Sequence, residues 1–192
     1  MKWRILVFPL AVLAGSVDAI GASISLSDAA GRYAITPQGS SLAFAVGAVS
    51  GPGIRGRFLR FNGNINIDPG NVERSSVRIV IFPDSVATGE ARVENFLRSD
   101  AVFDAARQNA ITFRSTRVTR TGDDTATIEG QLTARGKTFP QTFRARLDGL
   151  RGRQIQFHVA GKIMRSPYGM DVGTPIYSNV VDFDMSLKGN RL

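Results

Sequence analysis

Strict alternation of apolar and polar residues constrains this chain more than any other feature. Leu42, Phe44 and Val46 are spaced by two, as are Leu59, Phe61, Gly63, Ile65 and Ile67. The pattern continues through Val77, Ile79 and Ile81; Ile111 and Phe113; and Ala126, Ile128, Gly130, Leu132 and Ala134. It ends with Phe139 to Leu147, Ile155 to Ile163 and Val181 to Leu187. The intervening positions are largely polar, among them Arg114, Thr127, Glu129, Arg144, Arg146, Gln156, His158, Asp182 and Asp184. A period of two describes a strand with one dry face and one wet face. Eight such runs follow, with a further short strand over Arg32 to Thr36. Turn-forming segments separate them, at Gly51-Pro52-Gly53, Asp68-Pro69-Gly70-Asn71, Gly122-Asp123-Asp124 and Gly149 to Gly152. The expected class is all-β, an antiparallel barrel or sandwich; a parallel sheet would need two-sided apolar runs with helices between them.

The stretch from Glu90 to Arg107 departs from this period. Val93, Phe96 and Leu97, then Val102, Phe103 and Ala106, follow helical spacing, which predicts one or two short helices capping the β structure. Ser99-Asp100 reads as a junction or N-cap. Alternation alone leaves open which face points inward, because an outer-membrane barrel turns its apolar set toward lipid. The helical insert, the lack of aromatic girdles and the Phe-rich apolar sets favour an apolar interior. The only Trp is Trp3, and there are three Tyr.

The first residues read as a secretory signal peptide. Met1-Lys2-Trp3-Arg4 is basic, Ile5 to Leu13 is apolar, and Val17-Asp18-Ala19 places small residues at −3 and −1. Residues 1–19 are the expected leader, with cleavage after Ala22 as the alternative; the apolar run is too short to span a bilayer. An exported, periplasmic location follows. The chain has no cysteine, so neither a disulfide nor an N-terminal lipidated Cys is available. Removal of Lys2, Arg4 and Asp18 from 24 Lys+Arg and 16 Asp+Glu leaves 22 against 15, a net charge of +7. That balance suits anionic surroundings, such as a membrane surface. Export argues against nucleic acid.

The motifs that could carry chemistry are weak. Gly51-Pro52-Gly53-Ile54-Arg55-Gly56 matches a dinucleotide loop in letters, but it precedes a strand where that site needs a helix; it reads as a hairpin turn. His158, the only histidine, falls on the polar face of its strand, with no metal-type spacing around it. No nucleophile elbow and no carboxylate pair stands out. No enzyme, metal or obligatory cofactor is therefore expected. Arg114, Arg117, Arg120, Arg144 and Arg146 fall on polar faces, where neighbouring strands could gather them into a patch.

Several segments, taken in order, resemble the YceI family of lipocalin-like, polyisoprenoid-binding proteins. They are Gly56-Arg57-Phe58 through Phe61-Asn62-Gly63-Asn64-Ile65, Asp84 to Gly89, Phe96 to Ser99 with Phe103-Asp104, Ile111 to Thr116, Gly130 to Thr133 with Gly136-Lys137-Thr138, and Arg165 to Met170. The similarity spans residues 31–189. It implies an extended eight-stranded antiparallel lipocalin-like β-barrel with a short helical insert, an apolar channel holding an isoprenoid or similar chain such as a quinone or polyprenyl lipid, and periplasmic residence. Three histidines common in the family are absent: Ser40, Phe96 and Arg135 stand at those positions, and an Arg-Asp pair is replaced by Val93-Glu94.

The expected function is that of a lipid carrier or scavenger. Its channel residues are Phe44, Phe61, Ile79, Phe113, Ile128, Phe143, Phe157, Phe183 and Met185, with Phe96 and Phe103 contributed by the lid. Weak association with an anionic membrane surface and a homodimer are compatible partners. The alternative is a filled barrel acting at the envelope through its Arg-rich exterior.

Overall fold

The computed structural model describes residues 24–192, Pro69 excepted. The alternating segments become β1 (Gly31–Ile35), β2 (Ser41–Ala48), β3 (Ile54–Phe58), β4 (Phe61–Ile67), β5 (Ser76–Ile81), the two-residue β6 (Val86–Ala87), β7 (Ile111–Arg120), β8 (Thr125–Ala134), β9 (Lys137–Arg151), β10 (Gln154–Met164) and β11 (Tyr177–Arg191). Helix α1 (Ala91–Arg98) is the one α-helix among the described residues. All pairings are antiparallel, and the order β1-β4-β5-β7-β8-β9-β10-β11 closes through β1–β11 into an eight-stranded barrel.

The long strand β11 explains how the short N-terminal strands fit. Its last residues pair with β1 (Tyr33 opposite Arg191), while Val181 to Ser186 pair with β2. β1 and β2 are thus two halves of one barrel position, interrupted by the loop at Thr36 to Ser40. The Ser40 hydroxyl accepts from the Lys188 amide at 2.9 Å and fastens that loop to β11. The short first strand closes the barrel. β3 and β4 likewise share a position, paired with β2 and β1 respectively.

Burial follows the alternation along each strand. Along β4, Phe61, Gly63, Ile65 and Ile67 are buried and the three asparagines between them exposed; along β8, Ala126, Ile128, Gly130, Leu132 and Ala134 are buried and the residues between them exposed or half-buried. The exception is Leu59. It is 49% exposed, because the chain kinks between Phe58 and Phe61, both inward, and the Leu59 amide donates to the Ser85 carbonyl instead. The inward run expected from Leu59 therefore begins at Phe61.

Antiparallel order places the β2–β3, β8–β9 and β10–β11 connections at one end, here the upper end. The β4–β5, β7–β8 and β9–β10 connections lie at the lower end. α1 and the turns to Asn109 connect β6 to β7 across the upper end. The helical spacing over Glu90 to Arg107 resolves into one helix followed by turns. Ser99 caps its C-terminus, its hydroxyl donating to the Phe96 carbonyl at 2.7 Å, so the N-cap reading of Ser99-Asp100 is corrected. The following backbone folds back through Ser99, since the Asp104 amide donates to its carbonyl at 2.7 Å.

Candidate functional site

The inward faces enclose an apolar cavity of about 200 Å³ running along the barrel. Its wall takes residues from β8 between Ala126 and Ala134. At ~3.4 Å per residue and a strand tilt of about 40°, that stretch alone covers roughly 20 Å of barrel axis. So small a volume over such a length is narrow. It suits a linear or lightly branched chain.

Aromatic packing shapes the bore. Phe44 contacts Phe58 and Phe183, with centroids 5.4 and 6.4 Å apart, and Phe113 meets Phe143 edge-to-face at 5.1 Å. Glycines on the facing strands give these rings room. Gly161 stands opposite Phe143, and a Cβ there would come within 2.4 Å of the ring. Ten of the eleven residues expected in the channel lie on the cavity wall: Phe44, Ile79, Phe96, Phe103, Phe113, Ile128, Phe143, Phe157, Phe183 and Met185. Phe61 does not. It is 4% exposed and belongs to the packed core, a placement that period two alone could not distinguish from the wall.

The lower end is closed. Leu26 lines the cavity there, held by its amide on the Asp123 carbonyl at 2.8 Å, and Tyr33 is buried with its hydroxyl donating to the Ala29 carbonyl at 3.0 Å. The upper end carries the lid. Phe103 packs on Phe58 at 5.6 Å. The Glu94 carboxylate accepts from the Thr88 and Gly89 amides at 2.9 and 3.1 Å, and from Arg98 at 3.3 Å. Those amide bonds hold its pKa below the ordinary glutamate value. Arg98 in turn donates to the Asp84 and Val86 carbonyls, which clamps α1 to the strand edge.

Beside the lid lies the loop from Ser166 to Ile176, and Arg165 organises it. Its guanidinium is buried on the cavity wall and spends all five N–H groups. Nε donates to the Ser178 carbonyl at 2.8 Å, Nη1 to the Met170 and Val172 carbonyls, and Nη2 to Thr174 Oγ1 and the Tyr177 carbonyl at 3.0 and 3.2 Å. Burial lowers its pKa, with the nearby charge of Asp171 opposing. Tyr168 is fully buried, edge-on to Phe139 at 5.2 Å. Burial raises its phenol pKa, while a bond from Gln141 at 3.1 Å opposes the rise. Sequence reasoning gave no role to Arg165, Tyr168 or Met170, although all three stand in the Arg165 to Met170 segment that carried part of the family resemblance.

The mouth itself is apolar. Val172, Tyr177 and Phe96 line the cavity and are also exposed. Next to them Val49 is 83% and Ile176 62% exposed, joined by the Val49 amide on the Ile176 carbonyl at 2.9 Å. Elsewhere the exterior is largely polar, with Leu59, Met164 and Leu192 also exposed. His158 is partly exposed there, its Nε2 lying 3.4 Å from Asp184 Oδ1. No group of three or more metal-ligating side chains occurs among the described residues.

Residues 33–189 match the family model described as YceI-like domain. The chain belongs to the YceI-like domain family. A UPF0312 protein of Vibrio cholerae is 28% identical over 174 residues, covering 87% of this chain and 91% of the relative. The Salmonella newport protein YceI is 29% identical over 98% of both chains. Among solved structures, Burkholderia cenocepacia BcnA superposes with a TM-score of 0.74 at 22% identity, covering 80% of this chain and 98% of that one. A polyisoprenoid binding domain from Saccharophagus degradans superposes with a TM-score of 0.69 at 18% identity, covering 83% and 98%.

This YceI-like chain uses the three positions of the missing family histidines for structure. Ser40 ties the β1–β2 loop to β11 as described above. Phe96 faces the channel mouth. Arg135 sits with φ 50° at the two-residue β8–β9 hairpin, ahead of Gly136 at φ 70°, the type I′ geometry such hairpins favour. Its guanidinium donates to the Val102 and Gly169 carbonyls, both at 2.9 Å, so it joins the lid to the Arg165 loop and holds an otherwise disfavoured backbone.

Proposed function

We propose that this protein binds one long-chain amphiphile, an isoprenoid such as a quinone or polyprenyl lipid, with its tail in the barrel channel, and acts in the periplasm as a carrier or scavenger. The observation that carries this reading is the channel: closed below by Leu26, almost wholly apolar, long and narrow. Each methylene removed from water contributes about 0.8 kcal/mol, so a ten-carbon stretch supplies roughly 8 kcal/mol before the losses on association. Tail burial is the main source of affinity, since Arg165 has no donor left for a head group. The exposed Val49, Val172 and Ile176 around the mouth suit contact with a bilayer, where an apolar tail enters without crossing water. The basic leader followed by an apolar run supports export. Native mass spectrometry of protein purified from the periplasm tests the proposal. A stoichiometric lipid adduct, restored to the stripped protein by adding quinone or polyprenol, is the expected outcome; repeated isolation without lipid and no uptake of either would refute it.

A further inference from the structure

The outer wall carries a second recess unrelated to the mouth. Across β1, β4, β5 and β7, the polar faces form a hollow of about 420 Å³ lined by Arg32, Asn64, Asn66, Ser76, Arg78 and Arg114, together with Leu192 and with no Asp or Glu side chain on its wall. Register brings the cations together: Arg78 stands directly opposite Arg114, Asn64 opposite Arg78, and Arg32 opposite Asn66 beside Ser76. Neighbouring strands lie only about 4.8 Å apart, and like charges placed directly opposite destabilise a sheet. Elsewhere on this exterior some arginines are neutralised and others, such as Arg55, Arg57 and Arg144, hold no carboxylate among the described residues. Arg60, Arg98, Arg107, Arg117, Arg120 and Arg146 each hold a carboxylate within 4.0 Å. Among the described residues, Arg32, Arg78 and Arg114 hold none. Three unneutralised forks and the amides of Asn64 and Asn66 converge on one recess, an array that matches the several oxygens of a tetrahedral oxyanion.

We propose that this hollow is a binding site for a multiply charged phosphate-type oxyanion, whose charge offsets the Arg78–Arg114 repulsion. The proposal does not depend on what occupies the channel. The anion has two sources of identical chemistry, a soluble phosphate ester or the phosphate head of an amphiphile. The hollow and the channel lie on opposite faces of the same strands, with Ile65 and Val77 lining both. The β5–β7 ladder ends at the Arg78–Arg114 pair, and the next amide, that of Val77, donates to the Ser115 hydroxyl at 2.9 Å.

Titration calorimetry of the full mature protein with inorganic pyrophosphate, at low and constant ionic strength, tests the site. Saturable binding of one pyrophosphate per chain is expected, about tenfold weaker in both Arg78→Gln and Arg114→Gln. Arg144→Gln, on the exposed face of β9 outside the hollow, should leave it unchanged. Without the anion, Arg78→Gln should melt no lower than wild type, since it relieves repulsion. With pyrophosphate, wild type should melt higher than the variant. Absence of saturable binding, or an equal loss in Arg144→Gln, overturns the proposal. Dodecyl phosphate distinguishes the sources: displacing both pyrophosphate and a long-chain channel probe identifies a lipid head, and displacing pyrophosphate alone identifies a soluble ester. Either displacement supports the site, and failure to displace pyrophosphate overturns it.

Discussion

Ala145→Leu tests whether the bore is empty space or close-packed core. Ala145 faces Ala126 across β8–β9 and Val159 across β9–β10, and all three line the cavity. Phe143 and Leu147 flank Ala145 on its own strand, so the two facing alanines form the low point of a wall otherwise built from large side chains. Leucine adds three carbons. If they enter free apolar space, they contribute at most about 2.4 kcal/mol, less roughly 0.5–1 kcal/mol of rotamer entropy. A net gain near 1.5 kcal/mol corresponds to a rise of about 3–6 °C in melting temperature for a domain of this size. In a filled core the same substitution would cost about 1–3 kcal/mol through overpacking, so the sign of the change decides. The same three carbons take the place of about three ligand methylenes and should weaken a long-chain ligand roughly fiftyfold. Thermal unfolding of stripped protein and displacement of a fluorescent fatty-acid probe measure both quantities. A lower melting temperature with unchanged probe affinity would refute the channel reasoning.

Other perturbations probe the parts around the channel. Gly161→Ala drives a methyl into the Phe143 ring and should cost about 1–3 kcal/mol in urea unfolding. Arg165→Ala leaves the Met170, Val172, Tyr177 and Ser178 carbonyls without their shared donor; a loss of about 2–3 kcal/mol is expected, with new proteolytic cleavage between Asp171 and Ile176. Glu94 has a folded pKa below its unfolded value, so its contribution to the lid is complete above the ordinary glutamate range and lost as pH falls through the lowered folded value. Hydrogen exchange of residues 88–98 should accelerate as pH drops through that window, after correction for intrinsic exchange, and Glu94→Gln should remove this dependence.

Strand identity was legible because burial on one face forces period two, and the polar residues between left little ambiguity. The mostly apolar wall was legible for the same reason, as Phe44, Phe113, Ile128 and Phe157 illustrate. Leu59 was misread because a kink between strands shifts facing by one residue without leaving a mark in the letters. The expected leader, residues 1–19, lies outside the described residues.

What the sequence determined by itself was local: which residues face together, where turns interrupt them, and that one helical segment breaks the series. Tertiary structure alone decided closure, because the pairing of β11 with both β1 and β2 joins residues 129 or more positions apart. It alone turned Arg165 inward, where carbonyls from the following loop and the start of β11 replace water around a buried charge. It alone set Arg78 against Arg114, since cross-strand register depends on the whole ring and not on either strand. Facing is a property of successive residues. Closure, cavity length and charge clustering depend on where distant strands meet.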